Sequence, residues 1–520
     1  MDQIFYNGHI HPTASTQKVE ALWVKARKVA GSGPLTQLQQ QAGASAQLHD
    51  LQGKTLLPGF HDPHIHLWKV GDLLTYMLDL RGVTSIAEMQ DRLREFAARH
   101  PERPWILARG FNEANLAEGR MPDRYDLDRA VPDRPCYVIR TCAHIAVVNS
   151  LVFSLLPSLE APAGGEVLRD KQGKATGIFT ENALGLITRL IPPYPAAAYR
   201  EMILAAQDAL LEKGITSATD PGVMPDLLAV YRQMEAAGEL KIRIHAMPIM
   251  VPDGSSKPLP LQEQYHSDFL HIDTVKFFAD GGLSGKTAAV KQPYKNGGGK
   301  GVMRLDSHFF LKLAQKAQAA GWRIATHAIG DAAIDQVLAV YAELDRNNPQ
   351  GLRHRIEHLG LPHPEHLNTM RDLGTFCVSQ PIFLYELGAN MRRYLPNFYL
   401  HRVFPYRSVL DAGVSLAFSS DAPVVKDFNP LRGVQNAVER LDLQGNEIGG
   451  TEKITIEEAL RAYTLGAAEV EGTDAVNGSL EAGKWADLVV LEESPFEVDS
   501  NRCGKLKVNN LFSLPKAARY

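Results

Sequence analysis

The sequence predicts an α/β protein whose main part is a (β/α)8 barrel of the TIM type. Three observations favour this fold class. Apolar runs of strand length alternate with amphipathic helical patterns along most of the chain. The runs are apolar almost without interruption, which is typical of parallel strands covered on both faces. Polar residues suited to metal binding follow several of the runs, where barrel enzymes build their active sites.

The alternating pattern is strongest in the second half of the chain. Helical patterns lie there between the apolar runs, at 308–320, 331–345 and 364–373. The number of runs favours a barrel over a short doubly wound sheet. The runs themselves occur at 54–60, 137–140, 241–250, 274–279, 322–326, 353–357, 374–379 and 414–419.

The two ends of the chain differ from this pattern, because both are rich in short strands and glycine-containing turns. We therefore predict a small β-sandwich domain formed by residues 1–57 plus 465–520, and a barrel domain over 58–464. The barrel pattern breaks between about 85 and 200. Insertions in barrels usually lie over the active-site mouth, so we expect this one to shape substrate choice.

The composition is that of an ordinary globular protein, with 45% hydrophobic and 22% charged residues and a net charge of −4. This near balance gives no argument for binding to nucleic acid or to an anionic membrane. No apolar stretch approaches the roughly 18 residues that span a bilayer, and the first residues lack a secretory pattern. Four scattered cysteines favour buried reduced thiols, although Cys136 and Cys142 could meet. We expect a cytoplasmic location.

The most informative motif is the His64-x-His66 pair, which follows an apolar strand. Residues two apart in a strand face the same way, so both imidazoles would point to one side. Two imidazoles at the carboxyl end of a strand make half of a divalent-metal site. The alternative is a pair of polar residues in a loop. We interpret His61 as a residue that hydrogen-bonds locally rather than as a ligand.

Three later strands are followed by residues of the same chemistry. His327 follows the run at 322–326, and His358 and Asp421 follow two further runs. Each alone has a structural explanation, but their recurrence at strand ends favours one common site. His354 lies inside its strand, and we predict that it packs or hydrogen-bonds in the core.

Lys276 lies within an apolar strand, where a buried and unpaired ammonium group is costly. Such a lysine is salt-bridged, extends to solvent, or is chemically modified. A carbamylated lysine has two oxygens and could bridge two metal ions about 3.5–4 Å apart.

In chain order, the segments PGFHDPHIH, VKFFADGG, THAIGD, HRIEH and SSDAP resemble the amidohydrolase superfamily. More narrowly, they resemble amidohydrolase family 3, the branch that includes N-substituted formamide deformylases. The resemblance covers essentially the whole chain, including the C-terminal segment GSLEAGKWADLVVLE.

The resemblance implies a centre of two divalent ions. These are expected to be zinc, with manganese or iron left open. One ion would be bound by His64, His66 and Asp421, the second by His327 and His358, and carbamylated Lys276 would bridge the two.

The resemblance also implies two catalytic groups. Asp421 would move protons, and His144 would polarise the substrate carbonyl, with a structural role as the alternative for His144. Gln380 and Glu181 match the pattern of the branch as well, and we interpret both as supporting or structural residues.

The predicted function is a metal-dependent amidohydrolase that cleaves a C–N amide bond, in an N-substituted formamide or N-acyl compound, with metal-activated hydroxide. An esterase or other hydrolase on the same site is one alternative, and a non-catalytic regulatory protein is another. The presence of all six ligand residues argues against the regulatory alternative. The expected partner is a small amide-type substrate, without nucleic acid or membrane, and a homodimer is left open.

Overall fold

The computed structural model of the protein describes residues 2–141, 145–162, 165–181, 183–252, 257–297, 299–347 and 351–512. Contacts divide the chain into two compact units, the first made of Met1–Leu67 with Gln207–Tyr520 and the second of Trp68–Ala206. The strands are β1 (Gln3–Ile10), β2 (Val19–Lys25), β3 (Lys28–Gly33), β4 (Gln47–Asp50), β5 (Thr55–Pro58), β6 (Phe60–Asp62), β7 (Leu78–Asp79), β8 (Ile106–Phe111), β9 (Cys136–Arg140), β10 (Ile145–Val148), β11 (Gly165–Arg169), β12 (Ala175–Glu181), β13 (Ile215–Val223), β14 (Arg243–Pro248), β15 (Tyr265–His266), β16 (Leu270–Ile272), β17 (Thr274–Phe278), β18 (Arg323–Ala328), β19 (Arg355–His358), β20 (Phe376–Ser379), β21 (Leu416–Phe418), β22 (Leu488–Leu491) and β23 (Val508–Phe512).

The helices are α1 (Leu35–Ala42), α2 (Leu67–Thr75), α3 (Ile86–Arg99), α4 (Arg124–Ala130), α5 (Ser150–Phe153), α6 (Leu184–Thr188), α7 (Ala196–Leu211), α8 (Pro225–Ala236), α9 (Ser307–Ala319), α10 (Asp331–Asn347), α11 (Pro364–Asp372), α12 (Ile382–Tyr394), α13 (Asn397–Leu400), α14 (Tyr406–Asp411), α15 (Pro430–Glu439), α16 (Ile456–Ala462), α17 (Leu465–Glu471) and α18 (Ser500–Cys503). Short 3-10 helices lie at Glu113–Asn115, Lys295–Gly297 and Gly450–Glu452. None of the helices in the described ranges combines the length and hydrophobicity needed to cross a bilayer.

Parallel strands alternating with helices form the main part of the first unit. Strands β6, β13 and β14 pair in parallel, and β17 to β21 pair in parallel in sequence order. A parallel bridge between Ile249 and Lys276 joins these two sets. At the other edge, Asp421 N donates to His64 O at 2.8 Å and His66 N donates to Ala422 O at 2.9 Å. The predicted α/β class is confirmed, whereas the closed barrel stays a prediction.

Two parts of the predicted strand set are wrong. The run at 137–140 is strand β9, which belongs to the sheet of the second unit. The strand that the apolar pattern missed is β13, in which threonine, serine and aspartate interrupt the apolar residues. Two of these buried side chains have polar partners, since Thr219 Oγ1 donates to Glu471 at 2.8 Å and Tyr231 OH donates to Asp220 at 2.6 Å. A strand that carries buried polar side chains of this kind escapes a hydrophobicity pattern.

The chain ends meet in one seven-stranded sheet of order β23-β22-β5-β1-β2-β3, with β4 paired to β1. Its buried side includes Phe5 of β1, Leu56 of β5 and Leu488 of β22. The predicted assembly from both termini is present, and its form as a sandwich stays a prediction. The predicted run at 54–60 is in fact two strands, β5 in this sheet and β6 among the parallel strands. Gly59 lies between the two strands. A Cβ at this position would meet Thr216 Oγ1 at 2.3 Å, so the close packing there requires glycine.

The second unit contains a six-stranded sheet of order β11-β12-β10-β9-β8-β7. One hydrophobic cluster includes Phe111, with Leu93 of α3 and Leu127 of α4, and another includes Trp105 and Phe179. The unit therefore has cores of its own. It spans more of the chain than the predicted insertion at 85–200, and the expected position of that insertion over the barrel mouth stays a prediction.

Candidate metal centre

Polar side chains gather where the parallel strands of the first unit end. The carboxyl ends of such strands are the place where α/β barrels assemble their sites. The six predicted ligands lie on or soon after five of these strands: His64 and His66 after β6, Lys276 within β17, His327 near the end of β18, His358 as the last residue of β19, and Asp421 after β21.

Three of these residues form a first group, His64, His66 and Asp421. One ligand atom from each lies within 4.8 Å of the others. Asp421 Oδ1 is 3.5 Å from His64 Nε2 and 3.3 Å from His66 Nε2. Two imidazole nitrogens and a carboxylate oxygen are donors that zinc binds in proteins. This group is therefore a candidate metal site.

His327 and His358 form a second group next to the first. Their ring centroids are 4.4 Å apart, and the His358 ring lies 4.9 Å from that of His64. Burial, with the neighbouring Lys276 charge, lowers the pKa of His327 to about 3. Burial is the main cause that holds the pKa of His358 well below its usual range, and the neighbouring His327 is the second cause. Both imidazoles are therefore neutral at pH 7, which is the form that binds metals.

Lys276 lies among these rings without a hydrogen-bond partner for its Nζ in the described part of the chain. Its side chain is fully buried, and Nζ is 4.9 Å from the centroid of the Phe278 ring. Burial lowers the pKa of this amine to about 8, although the Glu357 carboxylate opposes the shift. A buried amine in this state is at odds with a purely structural role, because unsatisfied buried polar groups are rare.

His64 is held by a buried ion pair that the sequence interpretation missed. Its Nδ1 donates to Glu357, and Glu357 is paired with Arg355, whose Nη2 donates to Glu357 at 3.0 Å. Arg355 also donates to the Pro63 carbonyl at 2.6 Å, and both charged side chains are fully buried. Because Nδ1 carries the proton, the Nε2 lone pair of a neutral His64 faces Asp421. The signal in the sequence was two opposite charges inside an otherwise apolar strand.

His358 is oriented by Gln380, at the end of the next strand. His358 Nδ1 donates to Gln380 Oε1 at 2.7 Å, and Gln380 Nε2 donates to Ser419 Oγ at 2.9 Å. Ser419 Oγ itself donates to the Ser379 carbonyl at 3.4 Å, so its oxygen is left to accept from the amide nitrogen of Gln380. Partners of this kind orient histidine ligands and leave the other ring nitrogen for the metal. The interpretation of Gln380 as a supporting residue fits this arrangement.

His327 lies beside a second carboxylate that the sequence interpretation missed, Asp280. His327 Nε2 is 3.1 Å from the Gly281 carbonyl and 3.4 Å from Asp280 Oδ1. Asp280 is fully buried and accepts the backbone N–H groups of Ala289, Ile329 and Gly330 at 2.8–3.0 Å. Asp280 thus ties together the loops that follow β17 and β18, and it does so through backbone atoms that no sequence motif reveals.

The backbone is strained where the ligands are. His358 and Asp421 have φ values of 74° and 59°, and Leu359 has a φ of 49°. Non-glycine residues rarely adopt this left-handed region, and such strain is concentrated at functional sites. Two of the candidate ligands thus lie in left-handed backbone, as do several non-glycine residues elsewhere in the chain, such as Ala14 and Phe404.

The other predicted residues have different outcomes. His354 accepts the Ile324 N–H at 3.2 Å within the core, as predicted. His61 is not bonded locally, since its Nδ1 lies 3.0 Å from Glu471 of α17, so that part of its interpretation is wrong. His144 lies outside the described residues, and Glu181 lies in β12 of the second unit.

Buried imidazoles and a carboxylate at the ends of parallel strands are typical of metal-dependent hydrolases with an α/β fold. Comparison with known proteins agrees with this class. The chain matches the model of the amidohydrolase family over residues 47–509. It therefore belongs to the amidohydrolase family.

Individual relatives have similar lengths. The chain is 29% identical to the N-substituted formamide deformylase of Arthrobacter pascens, over 98% of this chain and 96% of that protein. Crystal structures of uncharacterized metal-dependent hydrolases from Pyrococcus furiosus and Pyrococcus horikoshii have TM-scores of 0.79 and 0.81. They are 27% and 26% identical, and the alignments cover 96% and 97% of this chain and 100% of each of those chains.

Proposed function

We propose that the protein hydrolyses an amide-type C–N bond, in an N-substituted formamide or an N-acyl compound. The observation that carries this proposal is the convergence of four imidazoles, one carboxylate and a buried amine at one end of the parallel strands. The similarity to an N-substituted formamide deformylase supports the choice of bond.

The arrangement of these residues fits two divalent ions, and zinc is the ion whose preferred donors they match. Acceptor atoms that face one another repel unless a cation lies between them. His64 Nε2 and Asp421 Oδ1 face one another at 3.5 Å in this way. We assign His64, His66 and Asp421 to one ion and His327 and His358 to the second.

We assign to Lys276 the role of a bridge, as a carbamate. The reaction is the attack of the neutral amine on carbon dioxide, which forms an N–C bond and releases one proton. The product has two oxygens for two ions, and it gives a function to a buried Nζ that has no hydrogen-bond partner in the described residues. The negative charge would lie among histidines and bound cations, where it is compensated.

A crystal structure of the metal-loaded protein tests the Lys276 assignment. We expect electron density for three additional atoms beyond Nζ, because the carbamate is held by both ions. Mass spectrometry is a poor substitute, since carbamates are lost on acidification. Density that ends at an unmodified Nζ beside bound metals would disprove the bridge.

When bound, the ions supply Lewis-acid polarisation of the substrate carbonyl and lower the pKa of water towards 7. The chain supplies the proton transfers. The Asp421 carboxylate accepts a proton from the attacking water and delivers it to the leaving nitrogen, because an amine leaves only when protonated. Gln380 and Glu357 keep the ring protons of His358 and His64 on Nδ1. His144 is proposed to donate to the carbonyl oxygen.

A substrate panel on the metal-loaded protein tests the proposed function. We expect that zinc content rises on reconstitution, that N-formyl or N-acyl amines are hydrolysed, and that a chelator abolishes this activity until zinc is returned. Matched esters with the same acyl group serve as the comparison. Turnover of the esters but of none of the matched amides would contradict the bond assignment, and no turnover with metals bound would favour a non-catalytic role.

A further inference from the structure

Three histidines lie in a row across neighbouring strands, away from the candidate metal centre. His266 of β15 is the direct antiparallel partner of His271 in β16, and His271 is in turn the parallel partner of His245 in β14. Their ring centroids are 5.4 Å and 6.1 Å apart in this order. Residues in direct register across strands have their side chains on the same face. The register therefore places three imidazoles side by side.

A carboxylate completes the cluster. Asp273 follows His271 by two residues, and one ligand atom from each of His266, His271 and Asp273 lies within 4.8 Å of the others. The set has two histidines and one carboxylate, the donors that zinc and related ions prefer. His266 is exposed and the other two are half-buried, so that an ion could reach them from solvent.

His271 has the tautomer that metal binding needs. Its Nε2 lies 2.8 Å from the Ser267 carbonyl oxygen, which can only accept, so Nε2 carries the proton. The lone pair of the neutral ring is then on Nδ1. Histidine ligands commonly donate their second ring N–H to a backbone carbonyl in this manner. Burial, followed by the nearby His245, lowers the pKa of His271.

Asp273 is oriented in the way that ligand carboxylates are. Its Oδ1 accepts from His245 Nε2 at 2.6 Å and from Thr274 Oγ1 at 2.7 Å. Burial raises the pKa of Asp273, but the His245 charge and hydrogen bond outweigh it and the net pKa is lowered. His245 is thus a positioning residue for the carboxylate. His271 also borders a cavity of about 210 Å³.

We propose that His266, His271 and Asp273 form a second divalent-metal site, which binds zinc or a similar transition-metal ion. Asp273 directly precedes β17, so the site lies at the amino end of the strands, whereas the catalytic candidates lie at their carboxyl ends. Strand β15 has only two residues and forms the edge of its sheet. An ion shared between β15 and β16 would hold this short edge strand in place, so the role we infer is structural.

Metal counting on the full-length protein tests this site. After loading with zinc and removal of the excess, we expect His266→Gln to hold one zinc ion fewer per chain than the wild type. Loss of a ligand is expected to weaken zinc binding at this site by about 100-fold or more, since even outer partners of ligands contribute 10–100-fold. Replacing exposed His266 leaves the core intact, and the hydrolytic activity of the loaded protein is expected to stay unchanged.

Two further variants separate this result from other causes. Asp273→Asn removes the ligand charge in a similar shape and is expected to lose the same ion. His308→Gln replaces an exposed histidine of α9 and should keep the wild-type zinc content. Thermal unfolding with zinc and with a chelator gives a second readout, in which both site variants should lose part of the zinc-dependent rise in Tm. Equal zinc content and equal zinc-dependent Tm in the wild type, His266→Gln and Asp273→Asn would overturn the proposal.

Discussion

Replacement of Asp421 by asparagine is expected to lower kcat by about 100-fold or more while the bound metal is retained. The amide oxygen of asparagine can still bind an ion, but the amide neither accepts the proton of the attacking water nor delivers it to the leaving nitrogen. The substitution also suits the backbone, because Asp421 has a φ of 59° and asparagine tolerates this region better than most residues.

Steady-state kinetics and metal analysis of the same preparation check this expectation. Asp411→Asn is the matched control, because it makes the same chemical change at the exposed end of α14, where Asp411 pairs with Arg407 at 3.2 Å. The control should keep wild-type kcat. Near wild-type activity in Asp421→Asn would show that another group moves the proton, and loss of metal would show that Asp421 acts mainly as a ligand.

The six candidate ligands could be predicted from the sequence because each stands on or soon after an apolar strand. A parallel α/β arrangement brings such positions to one end of the sheet, so a local pattern predicts a contact between distant residues. His64 and His358 are 294 positions apart in sequence, yet their ring centroids lie 4.9 Å apart. Here the regularity of the fold made the long-range prediction possible.

The residues that hold the ligands could not be predicted in the same way. Asp280 acts through three backbone N–H groups, one in its own loop and two in the loop after β18. Glu357 acts through a bond to His64 that depends on the exact rotation of both side chains. Neither contact corresponds to a repeating pattern of residues in the sequence, because each depends on how loops and strands pack together. The same reason explains why the buried polar strand β13 was missed.

The sheet formed by the two chain ends could be predicted in part. Short strands and glycine-containing turns predicted a small sheet from both ends, and the structure pairs β22 from the C-terminal part with β5 from the N-terminal part. The segment 478–492 was expected to form a strand, a turn and a second strand, but only β22 is present among the described strands there, although Leu480 is buried in the core of the sheet. A buried apolar residue shows that a segment packs inside, but it does not show which backbone conformation the segment adopts.

Replacement of Glu357 by glutamine is expected to produce the largest loss of stability, about 3–5 kcal/mol, because it leaves the Arg355 charge buried without its counterion. Both side chains are fully buried, so water cannot take over the lost interaction. The Pro63 carbonyl remains as a partner of Arg355, but a neutral oxygen compensates a cation less well than a carboxylate does. The urea midpoint of the protein should fall and its Tm should drop by several degrees.

The same change at an exposed ion pair is the control for this prediction. Glu343→Gln in α10 removes the partner of Arg346, and surface pairs of this kind contribute about 0–1 kcal/mol. The difference between the two variants measures how much burial adds to the ion pair. Because Glu357 also holds the His64 proton on Nδ1, Glu357→Gln should weaken metal binding at the site, and Glu343→Gln should not. If the two variants unfolded at the same urea concentration, the buried Arg355–Glu357 pair would contribute no more to stability than an exposed pair, and the prediction would be wrong.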